Sequence, residues 1–300
     1  MRSNDRILTT HVGSLPRSEA VTKGVFAKEQ GKALDEAAFA QTLREAVTET
    51  VQKQVVSGVD IVSDGEQSKI SYATYIKDRI TGFEGDSPRR TPKDLELFPN
   101  YGAFASRSGG VPEYKRPKCV GPIEVKSMDP LNEDLSCFAG ALKASSPAGA
   151  FMNAASPGVI ALFQPNEYYA SDDEYLEALA EAMRVEYEGI VNAGYQLQLD
   201  SPDLGLGRHM MFKDTEDDEY MTRIARHVEV LNHATRNIAP EQMRMHICWG
   251  NYEGPHVCDV GLEVILPTVL KARPAALLFE TANPRHGHEW QVIRDHADLI

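Results

Sequence analysis

Apolar and polar positions along this chain follow two rhythms. Short runs rich in β-branched residues read as strands at residues 7–10, 61–63, 150–154, 195–199, 243–249 and 276–279. Between them, apolar side chains recur every three or four positions. Phe39, Leu43, Val47, Val51 and Val55 predict a helix from about Asp35 to Gly58, and Leu176, Leu179, Met183, Tyr187 and Ile190 predict another that stops near Gly194. Ser171 with Glu174, and Thr215 with Asp218, have the spacing of a capping box, in which each side chain takes an orphan N–H at a helix start. The second box opens a helix carrying Met221, Ile224, Val228 and Leu231. A further helix falls within residues 260–272, disturbed at its middle by Pro267.

Strand and helix thus alternate six times, which predicts a parallel sheet with helices outside it. An open, doubly wound dinucleotide fold would carry G-x-G-x-x-G after its first strand, and Gly13-Ser14-Leu15-Pro16-Arg17 lacks that spacing. The expected fold is therefore α/β, a (β/α)8 TIM barrel forming one domain over residues 1–300. Six strands fall short of eight, so the barrel is expected to lack its last two strands here, with its C-terminal part in a further segment. The pattern lapses over residues 81–118, an insertion containing Ser87-Pro88-Arg89-Arg90 and Ser108-Gly109-Gly110-Val111-Pro112. A lid and a plain surface excursion both fit that composition.

Composition narrows the function classes. The chain is 42% hydrophobic and 25% charged, as in globular proteins, and 31 Lys+Arg against 44 Asp+Glu give a formal charge of −13. A field of that sign disfavours nucleic acid and anionic membrane surfaces. Apolar stretches are too short to span a bilayer and the first residues are polar, so a cytoplasmic protein is expected. Cys119, Cys137, Cys248 and Cys258 are too sparse for a disulfide framework and read as reduced thiols.

Polar residues recur at the C-terminal ends of the strands: His11 and Ser14, Glu66, Asp200, His246 with Cys248, and Glu280. In a barrel those ends share one face, where the chemistry of this fold sits. His246 and Cys248, two apart on a strand, point to the same side. Two readings stand, a core imidazole and thiol or half of a zinc site. Glu280 ends the adjacent strand and adds a carboxylate to the same rim, a donor set that matches catalytic zinc. A salt-bridge or capping carboxylate is the plainer reading of Glu280, and Cys258 is a weaker alternative ligand. A thiolate ligand lowers the Lewis acidity of zinc, which suits alkylation of a metal-bound thiol.

The segments Thr9-Thr10-His11-Val12-Gly13-Ser14-Leu15-Pro16-Arg17, Ser63-Asp64-Gly65-Glu66, Leu199-Asp200-Ser201-Pro202, His246-Ile247-Cys248 and Phe279-Glu280-Thr281 resemble, in order, the cobalamin-independent methionine synthase family. The resemblance covers essentially the whole chain and points to the short, single-barrel branch. It implies that His246, Cys248 and Glu280 bind Zn2+, and that Ser14, Glu66 and Asp200 hold the amino-acid part of homocysteine. The implied activity is an S-methyltransferase that passes the methyl group of a 5-methyltetrahydrofolate to a small-molecule thiol. Ser201 replaces the second acid usual after Asp200, which leaves the identity of the thiol open. Residues 283–290 resemble branch members that alkylate coenzyme M with an epoxide, for which Arg285 would pair with a sulfonate; a polar rim loop of Arg285, His286 and His288 is the plainer reading. A uroporphyrinogen-decarboxylase-type enzyme and a non-catalytic binding homologue are the remaining alternatives. The family's last cysteine ligand would lie in the missing C-terminal part.

Overall fold

The computed structural model describes residues 5–108, 114–251 and 254–298. Its elements follow the predicted alternation. Helices α1 (Glu19–Glu29) and α2 (Glu36–Val56) precede β1 (Ile61–Val62), and the next region holds β2 (Phe83–Glu84), α3 (Lys93–Leu97), α4 (Pro99–Ser108) and β3 (Lys118–Cys119). Then come α5 (Asp129–Lys143), β4 (Gly149–Ala155), α6 (Pro157–Phe163), α7 (Asp172–Asn192) and β5 (Gln196–Asp200). The remainder is α8 (Gly207–Met210), α9 (Asp217–Ala234), β6 (Met243–Ile247), α10 (Leu262–Val269), β7 (Ala276–Phe279) and α11 (Trp290–Asp295).

β1, β4, β5, β6 and β7 form one parallel sheet in that order, and Thr10 extends it through a parallel bridge to Ile61. The sheet is curled. Arg244 of β6 donates to Thr10 Oγ1 and to the His11 carbonyl, each at 3.1 Å. Four strand spacings separate those positions along the sheet, about 19 Å if it were flat, so only an arc lets one side chain reach across. Asn153 of β4 and Gln198 of β5 make similar chords to the Val12 carbonyl. This is the curved parallel sheet of a TIM barrel, with six strand positions present among the described residues.

Alternation along the strands sorts the two faces. Leu197, Leu199, Met243, Met245 and Ile247 point outward into the main core beneath the helices, while Gln198, Asp200, Arg244 and His246 point inward. Several predicted starts and stops hold. Asp35 caps α2 by accepting from Ala38 N, Ser171 caps α7 by accepting from Glu174 N, and Gly194 ends α7 at φ 92°.

Other expectations are corrected. Thr215 does not cap α9, which starts at Asp217; its hydroxyl donates instead to the Phe212 carbonyl. Residues 7–10 do not form a packed strand, for Ile7 is 88% exposed and pairing is confined to Thr10. That segment is fixed by polar contacts, Thr9 N and the Arg6 guanidinium both bonding Asp60. The insertion at 81–118 is not an irregular loop: β2 and β3 pair antiparallel, and α3 and α4 lie between them. Residues 109–113 of its Gly-rich motif lie outside the described residues. Helices α1 and α5, absent from the periodicity reading, pack against α2. Among the described residues no helix is long and apolar enough to cross a membrane.

Candidate active site

Two loops at the strand ends build the first half of the site. After Thr10 the chain turns through Gly13 and Ser14, and after β1 it turns through Asp64, Gly65 and Glu66. Leu15 N donates to the Gly65 carbonyl at 3.1 Å, and Arg17 bonds the carbonyls of Glu66 and Lys69, so the two loops are tied together. Gly65 (φ 67°) and Glu66 (φ 54°) are both left-handed. For Glu66 this is a strained conformation, held by Glu66 N donating to Asp64 Oδ1, and such strain clusters where a side chain must be aimed. The aimed carboxylate receives the Ser14 hydroxyl at 3.0 Å. A Cβ on Gly13 would stand 2.3 Å from Glu66 Oε1 and 2.7 Å from Asn153 Nδ2, so glycine is required for the close approach.

β5 and β6 supply the second half. Asp200 ends β5, accepts from Asn153 Nδ2 at 3.0 Å and Gln198 Nε2 at 2.8 Å, and lies 3.2 Å from His246 Nδ1. Asn153, Gln198 and Arg244 form an inner polar layer that sequence reading missed. Their inward alternation was the available signal. The His246 and Cys248 side chains meet: burial pulls the His246 pKa down, but hydrogen bonds to Asp200 and Cys248 outweigh it and raise it to about 10.

Register carries Glu280 to the same rim. Ile247 pairs with Phe279, so Cys248 and Glu280 follow at the same level and on the same side of neighbouring strands. The Glu280 carboxylate, however, turns back to accept from Asn283 N. The structure therefore brings Ser14 together with Glu66, and Asp200 together with His246 and Cys248, with Asp200 close enough to act electrostatically on Glu66 and with Glu280 on the adjacent rim position outside these contacts. Cys258 lies elsewhere, its N–H donating to Asp94 Oδ1. His286 is fully buried rather than part of a polar rim loop, while Arg285 and His288 are exposed. A cleft of about 650 Å³ is lined by residues of α1, α2 and α5 with Asp64 and Lys69, and none of the six predicted residues lines it.

The donor set fits a divalent ion. An imidazole and a thiol share one face, and the Asp200 carboxylate lies 3.2 Å from Nδ1 of the imidazole, the kind of contact that orients metal-bound histidines. The surroundings that hold a proton on His246 are the kind that a metal replaces it in.

Burial pushes the Glu66 pKa up to about 7, with Asp200 and Asp64 adding to the rise and Lys69 and Ser14 opposing it. The folded chain then keeps a proton that the unfolded chain releases near pH 4.5, so stability falls as pH rises from about 4.5 to 7. Glu66→Gln is expected to flatten that profile, gaining on the order of 3 kcal/mol at most at pH 8 relative to the wild type. Urea unfolding of both proteins at pH 5 and pH 8 measures it. An unchanged difference between the two pH values would remove Glu66 as the cause.

Comparison with known proteins gives sequence and fold relatives. The sequence model of the family described as "Cobalamin-independent synthase, Catalytic domain" matches residues 7–88. A methionine synthase of Saccharolobus solfataricus is 26% identical over 260 residues, covering 86% of this chain and 68% of the relative. One from Sulfurisphaera tokodaii is 24% identical over 245 residues, covering 81% of this chain and 62% of the relative. Among solved structures, a B12-independent methionine synthase from a Shewanella species, in complex with selenomethionine, superposes with a TM-score of 0.58 at 18% identity, covering 81% of this chain and 64% of that one. The putative vitamin-B12-independent methionine synthase of Listeria monocytogenes gives 0.60 at 16% identity, covering 99% and 89%. The two structures share the fold, and the family model spans the first two rim loops. These matches show that the chain is similar to cobalamin-independent methionine synthases, in sequence to the family's catalytic-domain model over residues 7–88 and in fold over most of its length.

Proposed function

We propose that this protein is a zinc-dependent S-methyltransferase that transfers a methyl group from a 5-methyltetrahydrofolate to homocysteine. The observation that carries the reading is the meeting of two hydrogen-bonded sets, Ser14 with Glu66 and Asn153 through Asp200 to His246 and Cys248, on the strand-end face of a parallel barrel sheet, where Asp200 acts electrostatically on Glu66. His246 and Cys248 would hold zinc, with Glu280 as the third donor once it releases the Asn283 N–H. Bound there, the metal supplies a Lewis acid that keeps a thiol deprotonated near neutral pH.

The remaining steps belong to the chain. Asp200 fixes the His246 ring through Nδ1 and so directs the other nitrogen into the site. Glu66 and Asp200 give the substrate ammonium two carboxylate partners in a buried pocket, which offsets its loss of hydration. Ser14 keeps the Glu66 carboxylate aimed. Sulfur then attacks the methyl carbon, the C–N bond of the folate breaks, and the leaving nitrogen takes up a proton.

The chain spans 68% of the first archaeal relative and supplies six strand positions of the barrel, so this activity is a reading of its site and not a property transferred from the relatives. The test is product formation by the zinc-loaded protein with homocysteine and methyltetrahydrofolate polyglutamate, beside coenzyme M with a short epoxide. Methionine is the expected product. Faster consumption of coenzyme M would move the assignment to the epoxide branch, and binding of homocysteine without turnover would make the protein a ligand-binding homologue.

A further inference from the structure

A second group of ionisable side chains lies apart from the rim cluster. Asp94, His209, His256, Asp259, His286 and Glu289 are each no more than 7% exposed. They come from distant segments: Asp94 from α3 in the insertion, His209 from α8, His256 and Asp259 from the loop between β6 and α10, and His286 and Glu289 from the chain after β7. Carboxylates buried at this depth require compensation.

Hydrogen bonds satisfy the periphery. Asp94 Oδ1 accepts from Val257 N at 2.9 Å and Cys258 N at 3.0 Å. Asp259 Oδ2 lies 2.8 Å from His256 Nδ1 and 2.9 Å from His286 Nε2. His286 continues to Glu289 at 2.8 Å and stacks on Trp249. The centre is different. His209 Nδ1 and Asp259 Oδ1 are buried without a hydrogen-bond partner. His209 Nε2 lies 3.4 Å from the Trp249 carbonyl and 3.2 Å from Asp259 Oδ1, and Nδ1 faces Asp94 Oδ2 at 3.6 Å. With the proton on Nε2, directed to Trp249, Nδ1 turns a lone pair toward a carboxylate oxygen, an arrangement that calls for a cation between them.

One donor atom from each of Asp94, His209 and Asp259 lies within 4.8 Å of the other two. We infer that these three residues form a second metal site, taking a divalent first-row transition ion such as Zn2+ and fastening α3 of the insertion to the loops that follow β5 and β6. Two carboxylates and an imidazole are the O and N donors such ions accept. The ion would neutralise carboxylate charge and give both orphaned atoms a partner. His256 and His286 hold the other oxygen of Asp259, as outer residues orient a ligating carboxylate. No residue is shared with the rim donors, although Trp249 joins the two regions along the chain.

The experiment strips the protein with chelator, adds Zn2+ alone, desalts and measures bound zinc. A His246→Ala/Cys248→Ser double variant removes rim donors and is expected to retain one equivalent. Adding Asp259→Asn is expected to weaken zinc binding by more than about tenfold, the loss that even an outer-shell substitution causes. No retained zinc in the double variant, or unchanged affinity after Asp259→Asn, overturns the site. If only the rim assignment fails, the double variant binds as the wild type does and Asp259→Asn still removes the ion. Co2+ adds a readout that does not depend on Asp259→Asn folding. The double variant is expected to show the d–d bands of a bound ion without a thiolate charge-transfer band, and absence of the d–d bands overturns the inference.

Discussion

Arg79→Met is expected to destabilise the fold by about 3–5 kcal/mol, the range seen when one partner of a buried ion pair is removed. Arg79 is 5% exposed and bonds two carboxylates, Asp134 of α5 at 2.5 Å and Glu186 of α7 at 2.9 Å. Its guanidinium also lies 4.7 Å from the centre of the Tyr75 ring, whose hydroxyl donates to Glu186. Methionine keeps much of the length but leaves both carboxylates without their ion-pair partner, Glu186 at 4% and Asp134 at 12% side-chain exposure. Burial already raises the Asp134 pKa even with Arg79 beside it. Protonation is therefore the escape route open to the variant, and its deficit should shrink as pH falls from neutrality toward the ordinary carboxylate range. Urea unfolding at 25 °C and pH 7 measures the cost, and adding Glu186→Gln should recover part of it. A loss below about 1 kcal/mol would mean that water enters and screens the pair as at a surface.

Cys248→Ala is expected to lower methyl transfer to homocysteine roughly a thousandfold, since metal activation contributes several kcal/mol and each 1.36 kcal/mol is a factor of ten. The variant should fold normally, because Cys248 is only partly buried and lies beyond the last residue of β6. Zinc content should fall with activity. Asp200→Asn keeps every metal donor and weakens both the hold on the His246 ring and one of two contacts to the substrate ammonium, so a smaller loss is expected, about 10- to 100-fold, as for outer contacts of metal ligands. Single-turnover rates together with metal analysis separate the two. A Cys248→Ala protein that keeps both its zinc and its rate would end the proposal, as would an Asp200→Asn protein more impaired than Cys248→Ala.

The contrast between the rim cluster and the buried histidine–carboxylate group shows where local sequence carries information. Ser14, Glu66, Asp200, His246 and Cys248 each follow a strand-like run, and the alternation of strands and helices places such positions on one face without coordinates. Glu280 was placed at its rim level by the same logic, but a single hydrogen bond to Asn283 decides where its carboxylate points. A rotamer choice of that kind has no periodic signature.

The chain by itself determined the order of strands and helices, the caps at Asp35 and Ser171, and the level at which polar residues leave the sheet, because all of these depend on neighbours a few residues apart. The tertiary structure alone decided that Asn153, Gln198 and Arg244 reach across the arc to the first loop, that Arg79 joins α5 to α7, and that Asp94 of the insertion meets His209 and Asp259. Those meetings depend on the curl of the sheet and on loops packing against one another, and contacts between residues far apart in the chain leave no spacing in the sequence to be read.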